Sequence, residues 1–157
     1  MSIDVEIEGL TELATRLDRV GRGLVDRRLL EELSGEAKEM VLKRTSEGRD
    51  VKGRPFRPYS KGHARARKKR GLGTSRVDLR FSGKMLDNIA TEVDEARGLG
   101  RVFFRNGKAE TRAGYHDMEG GGSPRVRRAF FGLSVEDVER LKGLVLRHVE
   151  KVIKGAL

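Results

Sequence analysis

The chain has 157 residues, no cysteine and no tryptophan, with 36% hydrophobic and 37% charged residues and a formal net charge of +10. That length suits one domain with a modest core, and the lack of cysteine excludes disulfides, thiolate metal sites and cysteine nucleophiles. The charge is local: residues 51–77 contain no Asp or Glu but carry Lys52, Arg54, Arg57, Lys61, Arg65, Arg67, Lys68, Lys69, Arg70 and Arg76, while the rest is balanced at 24 basic against 24 acidic residues.

Ile3, Val5 and Ile7 alternate with Asp4, Glu6 and Glu8, the period of a half-buried strand. Met1–Leu10 has neither the basic start nor the apolar run of a signal peptide, and no stretch approaches the roughly 20 apolar residues of a membrane span. A soluble protein made in a cytoplasm is expected. Thr11 then caps a helix with Leu13, Leu17, Val20 and Leu24 on one face, weakened at Gly21 and Gly23. Asp26 caps a stronger helix carrying Leu29, Leu30, Leu33, Ala37, Met40 and Val41, which stops before Gly48.

In the basic window Gly53, Pro55, Pro58, Gly62, Gly71 and Gly73 interrupt regular structure. Lys61–Arg70 has room for a helical turn or two but almost no apolar face, so an exposed loop is expected. Ser82 is the expected cap of a short helix through Met85, Leu86 and Ile89, followed by strands at Thr91–Asp94 and Arg101–Arg105. Asn106-Gly107 predicts a type I′ hairpin pairing Arg101–Arg105 with Lys108–Arg112.

Gly120, Gly121, Gly122 and Pro124 form a break, and Arg127–Leu133 reads as a last strand. Ser134, with Glu136 and Asp137 in the first turn, starts a helix with Val138, Leu141, Val145, Val149, Val152 and Ile153 on one face. This order predicts an α+β fold: a small, mainly antiparallel sheet packed with N-terminal and C-terminal helices. Residues 1–157 form one domain with an exposed basic loop at about 51–77.

Signals for catalysis are thin. His63 in the basic loop and His148 on the last helix have no carboxylate nearby at metal-ligand spacing, and no metal or cofactor is expected. His116-Asp117 with Glu119 is an acid–base candidate; the competing reading, semi-buried scaffold beside a glycine turn, is preferred because motifs this short arise by chance. Gly71-Leu72-Gly73 and Ser82-Gly83-Lys84 both lack the features of a phosphate-binding loop. The basic window suits nucleic acid through counterion release, although its aromatics, Phe56 and Tyr59, lie at one end. A solvated, extended loop is the competing reading.

Four separated segments carry a resemblance. Thr45–Ser60 contains Gly48-Arg49-Asp50-Val51-Lys52-Gly53-Arg54-Pro55-Phe56-Arg57-Pro58-Tyr59-Ser60, which looks like the G-x-D-x-x-G-x-P-F/W-x-P-x-S stretch of the tailed-phage virion morphogenesis family. That family includes the tail-completion proteins of Mu-like and P2-like phages. Leu79–Ile89 resembles its L-x-x-S/T-G-x-L-x-x-S/N-I segment, Ala113–Gly121 its Y-A-x-x-H-x-x-G segment, and Pro124–Asp137 its P-x-R-x-F-x-G-L-S-x-x-D approach to the last helix.

The resemblance implies a non-enzymatic virion component at the head–tail junction, in the host cytoplasm during assembly. Its expected partners are further copies of itself in a ring, a hexamer by the resemblance, and adjacent connector or tail-tube proteins. Contact with DNA in the channel is an additional option, and no membrane partner is implied. Phe56, Tyr59, Tyr115, Arg125, Arg127 and Phe130 become the expected protein-interface residues. Lys61, Arg65, Arg67, Lys68, Lys69 and Arg70 become an electrostatic assembly loop.

Overall fold

A computed structural model describes residues 15, 18, 20, 21, 24–120 and 125–156. The strand expected over Ile3–Ile7, most of the helix led by Thr11, and residues 121–124 of the glycine break lie outside the described residues. The remainder is an α+β fold with four helices and a two-stranded antiparallel sheet.

The first full helix, α1 (Arg27–Ser46), starts at the expected cap: the Leu29 amide donates to Asp26 Oδ1 at 2.7 Å. Lys43 and Arg44 in its last turn complement the helix dipole. Leu29, Leu30, Ala37, Met40 and Val41 are buried, the stripe that the spacing predicts. This stripe packs on β1 (Ile89–Asp94) and β2 (Leu99–Phe104). The helix approaches so closely that a Cβ at Gly100 would lie 3.0 Å from the Leu30 carbonyl oxygen and 3.3 Å from Ser34 Cβ. Only glycine fits there without a shift.

Three expected elements are corrected. The strands at 91–94 and 101–105 exist with wider or shifted bounds, but they pair with each other, Ile89 opposite Phe104 and Asp94 opposite Leu99. Asn106 is not a hairpin residue: its Oδ1 accepts the Ala109 amide at 2.8 Å and caps α3 (Gly107–Gly114). Asn serves either role, and the helix formers Ala109, Glu110 and Ala113 decide for the cap.

The short helix after Ser82 shrinks to a 3₁₀ turn at Leu86–Asn88, because Gly83 has φ 77° and cannot belong to a helix. The last strand expected at Arg127–Leu133 is absent: the segment is irregular and bends at Phe131 and Gly132. Its amides leave the sheet for other partners: Arg128 to His116 O at 2.6 Å, and Phe130 and Phe131 to the one atom Asp117 Oδ1 at 2.8 and 3.0 Å.

The terminal helix α4 (Val135–Ala156) starts as a reciprocal cap. The Asp137 amide donates to Ser134 Oγ at 3.1 Å, and the Ser134 amide donates to Asp137 Oδ2 at 2.8 Å. Arg44 of α1 pairs with the same Asp137 and donates to the carbonyls of Phe130 and Gly132, tying α1 to the start of α4.

Candidate functional site

Residues from all four resembling segments meet in one place. Phe56, Leu79, Met85, Leu86, Ile89, Ala113 and Phe130 share a buried cluster with Val41 and Val77. The Val51 amide donates to Ala129 O at 2.9 Å. Arg128 donates through Nε and Nη2 to Arg57 O at 3.2 and 3.0 Å, and through Nη2 to Pro58 O at 3.2 Å.

The expected interface residues therefore divide. Phe130 is fully buried and Phe56 is 7% exposed, so both are sealed inside the chain and present no surface to a neighbour. Tyr59 is half-buried, its hydroxyl donating to Asp78 Oδ1 at 3.0 Å. Burial raises the Tyr59 pKa above its ordinary value, and the Asp78 carboxylate reinforces that shift against a backbone hydrogen bond from Asp78. Tyr115, Arg125 and Arg127 are exposed, and Arg127 Nε donates to Asp117 O.

The expected exposed loop contains a helix, α2 (Lys61–Lys69). Ser60 Oγ accepts the His63 amide at 3.3 Å, and Arg67, Lys68 and Lys69 lie in the favourable last turn. The sequence shows no apolar face because the face turned to Tyr59 and Phe81 carries His63, Arg67 and Arg70, spaced i, i+4, i+7, of which only Arg67 is buried. The His63 ring lies 4.9 Å from Tyr59 and 5.2 Å from Phe81. Arg67 sits 4.6 Å over the Tyr59 ring and Arg70 4.4 Å over that of Phe81.

Arg67 is only 1% exposed. Its guanidinium donates to Gly73 O at 2.7 Å, Arg80 O at 2.9 Å and Asp78 Oδ2 at 3.1 Å. Arg67 is thus a structural residue, not part of an electrostatic tether. Lys61, Arg65, Lys68 and Lys69 are exposed and, among the described residues, meet no carboxylate.

Beside α2 lies a cleft of about 580 Å³ lined by Phe81, Arg112, Tyr115, His116, Glu119 and Arg125, among others. Tyr115–Glu119 is a π-helical turn continuing α3, a rare geometry that recurs at functional sites. Gly120 ends the turn at φ 82°, where a Cβ would come within 3.1 Å of the Val126 and Arg127 backbone. Arg112 and Glu119 were missed as site residues because Arg112 was assigned to a strand and Glu119 was judged only as a catalytic partner.

His116 Nδ1 is buried and, among the described residues, has no hydrogen-bond partner. Burial lowers the His116 pKa below its ordinary value of 6.5, and the charges of Arg128 and His63 add to the shift. His63 shifts the same way, chiefly by burial and then through Arg67 and Arg128. A folded state that resists a proton loses stability as pH falls. The stability tied to His116 is therefore complete above 6.5 and declines as pH drops toward its lower folded value. Urea midpoints measured on lowering the pH below 6.5 are expected to fall, and His116→Gln to fall less steeply. Identical slopes would show that His116 takes up its proton equally well in the folded and unfolded chains, against the lowered pKa.

Asp117 spends Oδ1 on two backbone amides, so its role is to hold the 130–131 segment beside the π-helical turn. Among the described residues no group of three or more His, Asp or Glu side chains is placed to hold a metal ion, and no helix is long and apolar enough to cross a membrane. No protein-family model matches the chain, and neither the curated proteins nor the solved structures yield a match.

Proposed function

We propose that this chain is a structural virion morphogenesis protein of a tailed phage or prophage, completing the tail or joining it to the head within a ring of identical copies. The observation that carries the reading is the convergence of the four resembling segments around Phe130. Segments separated in sequence by up to about seventy residues pack as one unit, through Arg128 on Arg57 and Pro58 and through Val51 on Ala129. Similarity confined to chance short motifs carries no such requirement.

An apolar groove of about 450 Å³ between α1, β2 and α4, lined by Leu33, Leu99, Val102, Phe131, Leu133 and Leu141, suits a protein neighbour. Leu99 and Leu133 on its wall are 37% and 40% exposed. The ring places the protein at the head–tail junction, with connector or tail-tube proteins on either side and no catalytic step of its own.

Light scattering coupled to size exclusion tests this reading. The expected result is a concentration-dependent closed assembly, six protomers by the resemblance. A monomer at every concentration overturns it. A second reading, a small basic nucleic-acid-binding protein, is favoured by the outward cations of α2. Its mark is DNA affinity that falls steeply with salt, with a slope flattened by neutralising Lys61, Arg65, Lys68 and Lys69.

A further inference from the structure

We propose that the cleft between the 79–85 segment and the π-helical turn is a binding site for single-stranded nucleic acid, with one phosphodiester held by Arg112 and Arg125 and a base stacked on Tyr115. The lining supports this. Arg112 and Arg125 are exposed, line the same cleft and, among the described residues, meet no carboxylate. Two guanidiniums on the wall of one cleft offer forked donors for phosphate oxygens.

Glu119 also lines the cleft and is the one acid there among the described residues. With His116 neutral the lining carries two positive charges and one negative, a net charge matched to a phosphodiester monoanion better than to a doubly charged phosphate monoester. Tyr115 is 49% exposed and, among the described residues, no aromatic ring or cation lies on its face. Phe81 is already occupied by Arg70 and His63, which leaves Tyr115 as the stacking platform.

The backbone around the cleft is also set apart. Leu79, on its wall, is the one non-glycine residue with positive φ (53°) among the described residues, and the opposite wall is the π-helical turn. Strained backbone concentrates where a surrounding structure fixes groups for binding. Arg70 and His63 of α2 lie against Phe81 on the cleft wall, which sets the basic helix beside the cleft. Bases of a duplex are stacked and unavailable to Tyr115, which selects a single strand.

Fluorescence anisotropy with a labelled oligothymidylate, its matching duplex and polyglutamate as competitor tests the proposal. Arg112→Gln and Arg125→Gln are each expected to weaken oligothymidylate binding about tenfold, and Tyr115→Ala roughly five- to a hundredfold. All three positions are exposed, and unchanged circular dichroism is the check that the variants fold. Polyglutamate is expected to compete poorly.

Neutralising Lys61, Arg65, Lys68 and Lys69 is expected to reduce the salt slope while leaving the loss caused by Tyr115→Ala intact. Parental affinity in all three cleft variants overturns the site, and loss only in the α2 variant moves binding to the helix alone. Competition by polyglutamate equal to that of the oligonucleotide overturns the ligand class in favour of an acidic peptide. Light scattering on the same samples fixes the oligomeric state in which each affinity is read, so failure of the cleft site and failure of the ring are told apart.

Discussion

Phe130→Ala is expected to lower the unfolding free energy by about 3–5 kcal/mol, the cost of removing a large buried ring together with the cavity it leaves. Phe130 is fully buried and shares its cluster with Phe56, Leu79, Met85, Leu86 and Ile89. Its ring also lies 6.1 Å from Phe131, edge to face, and Phe131 in turn lies 4.8 Å from Phe104 on β2. A loss of that size is a large part of the roughly 5–15 kcal/mol that holds a domain together. Urea unfolding read by circular dichroism should therefore show a much lower midpoint or a chain already unfolded in buffer. A midpoint like the parent's would mean that the four segments do not depend on this ring.

The second large effect concerns a charge. Arg67→Met is expected to cost about 3 kcal/mol, whereas Arg65→Met, two positions away on the same helix, should stay within about 0.5 kcal/mol. The two substitutions remove the same charge. Arg67 is withdrawn from water and satisfies Gly73 O, Arg80 O and Asp78, while Arg65 points outward. Removing the guanidinium leaves those acceptors in poor surroundings and strips a cation from the Tyr59 ring. Arg67→Lys keeps the charge but not the planar fork, so most of the loss should remain. Equal midpoints for the Arg65 and Arg67 variants would refute the structural role of Arg67.

That contrast also shows where sequence reasoning stops. The acid-free window made every arginine between residues 51 and 77 look alike, because charge patterning reports composition and not direction. His63, Arg67 and Arg70 repeat with helical spacing, but a search for apolar stripes does not count guanidiniums and imidazoles as a packing face. The partners that make them one, Tyr59 and Phe81, lie outside the helix. By contrast α1 was legible from Asp26 to Val41 because cap and apolar stripe agree. The start of α4 was legible because Ser134 and Asp137 form a local reciprocal cap.

Asn106-Gly107 failed for a different reason. A two-residue signal has two low-energy uses, and the choice was made by residues 108–114 and by the Asn106 bond to Asn88 Oδ1 at 2.6 Å. The strand expected at Arg127–Leu133 does not form. Amides of that segment are claimed by His116 and Asp117, which no periodicity reveals. The cleft was half visible: Tyr115, His116 and Arg125 were singled out, but Arg112 reaches it only because α3 is a helix.

The grip of Arg128 on the Arg57 and Pro58 carbonyls has a consequence in time. A ribosome adding about 5–20 residues per second takes several seconds to travel from that segment to Arg128. Throughout that interval Phe56 has no Phe130 to pack against, and the basic stretch around α2 emerges before the clamp that fixes its base has been made. Contacts this distant along the chain form late. The most cationic part of the nascent protein is therefore held at first only by the local contacts of Arg67, and proteases and polyanions have better access to it before Arg128 arrives.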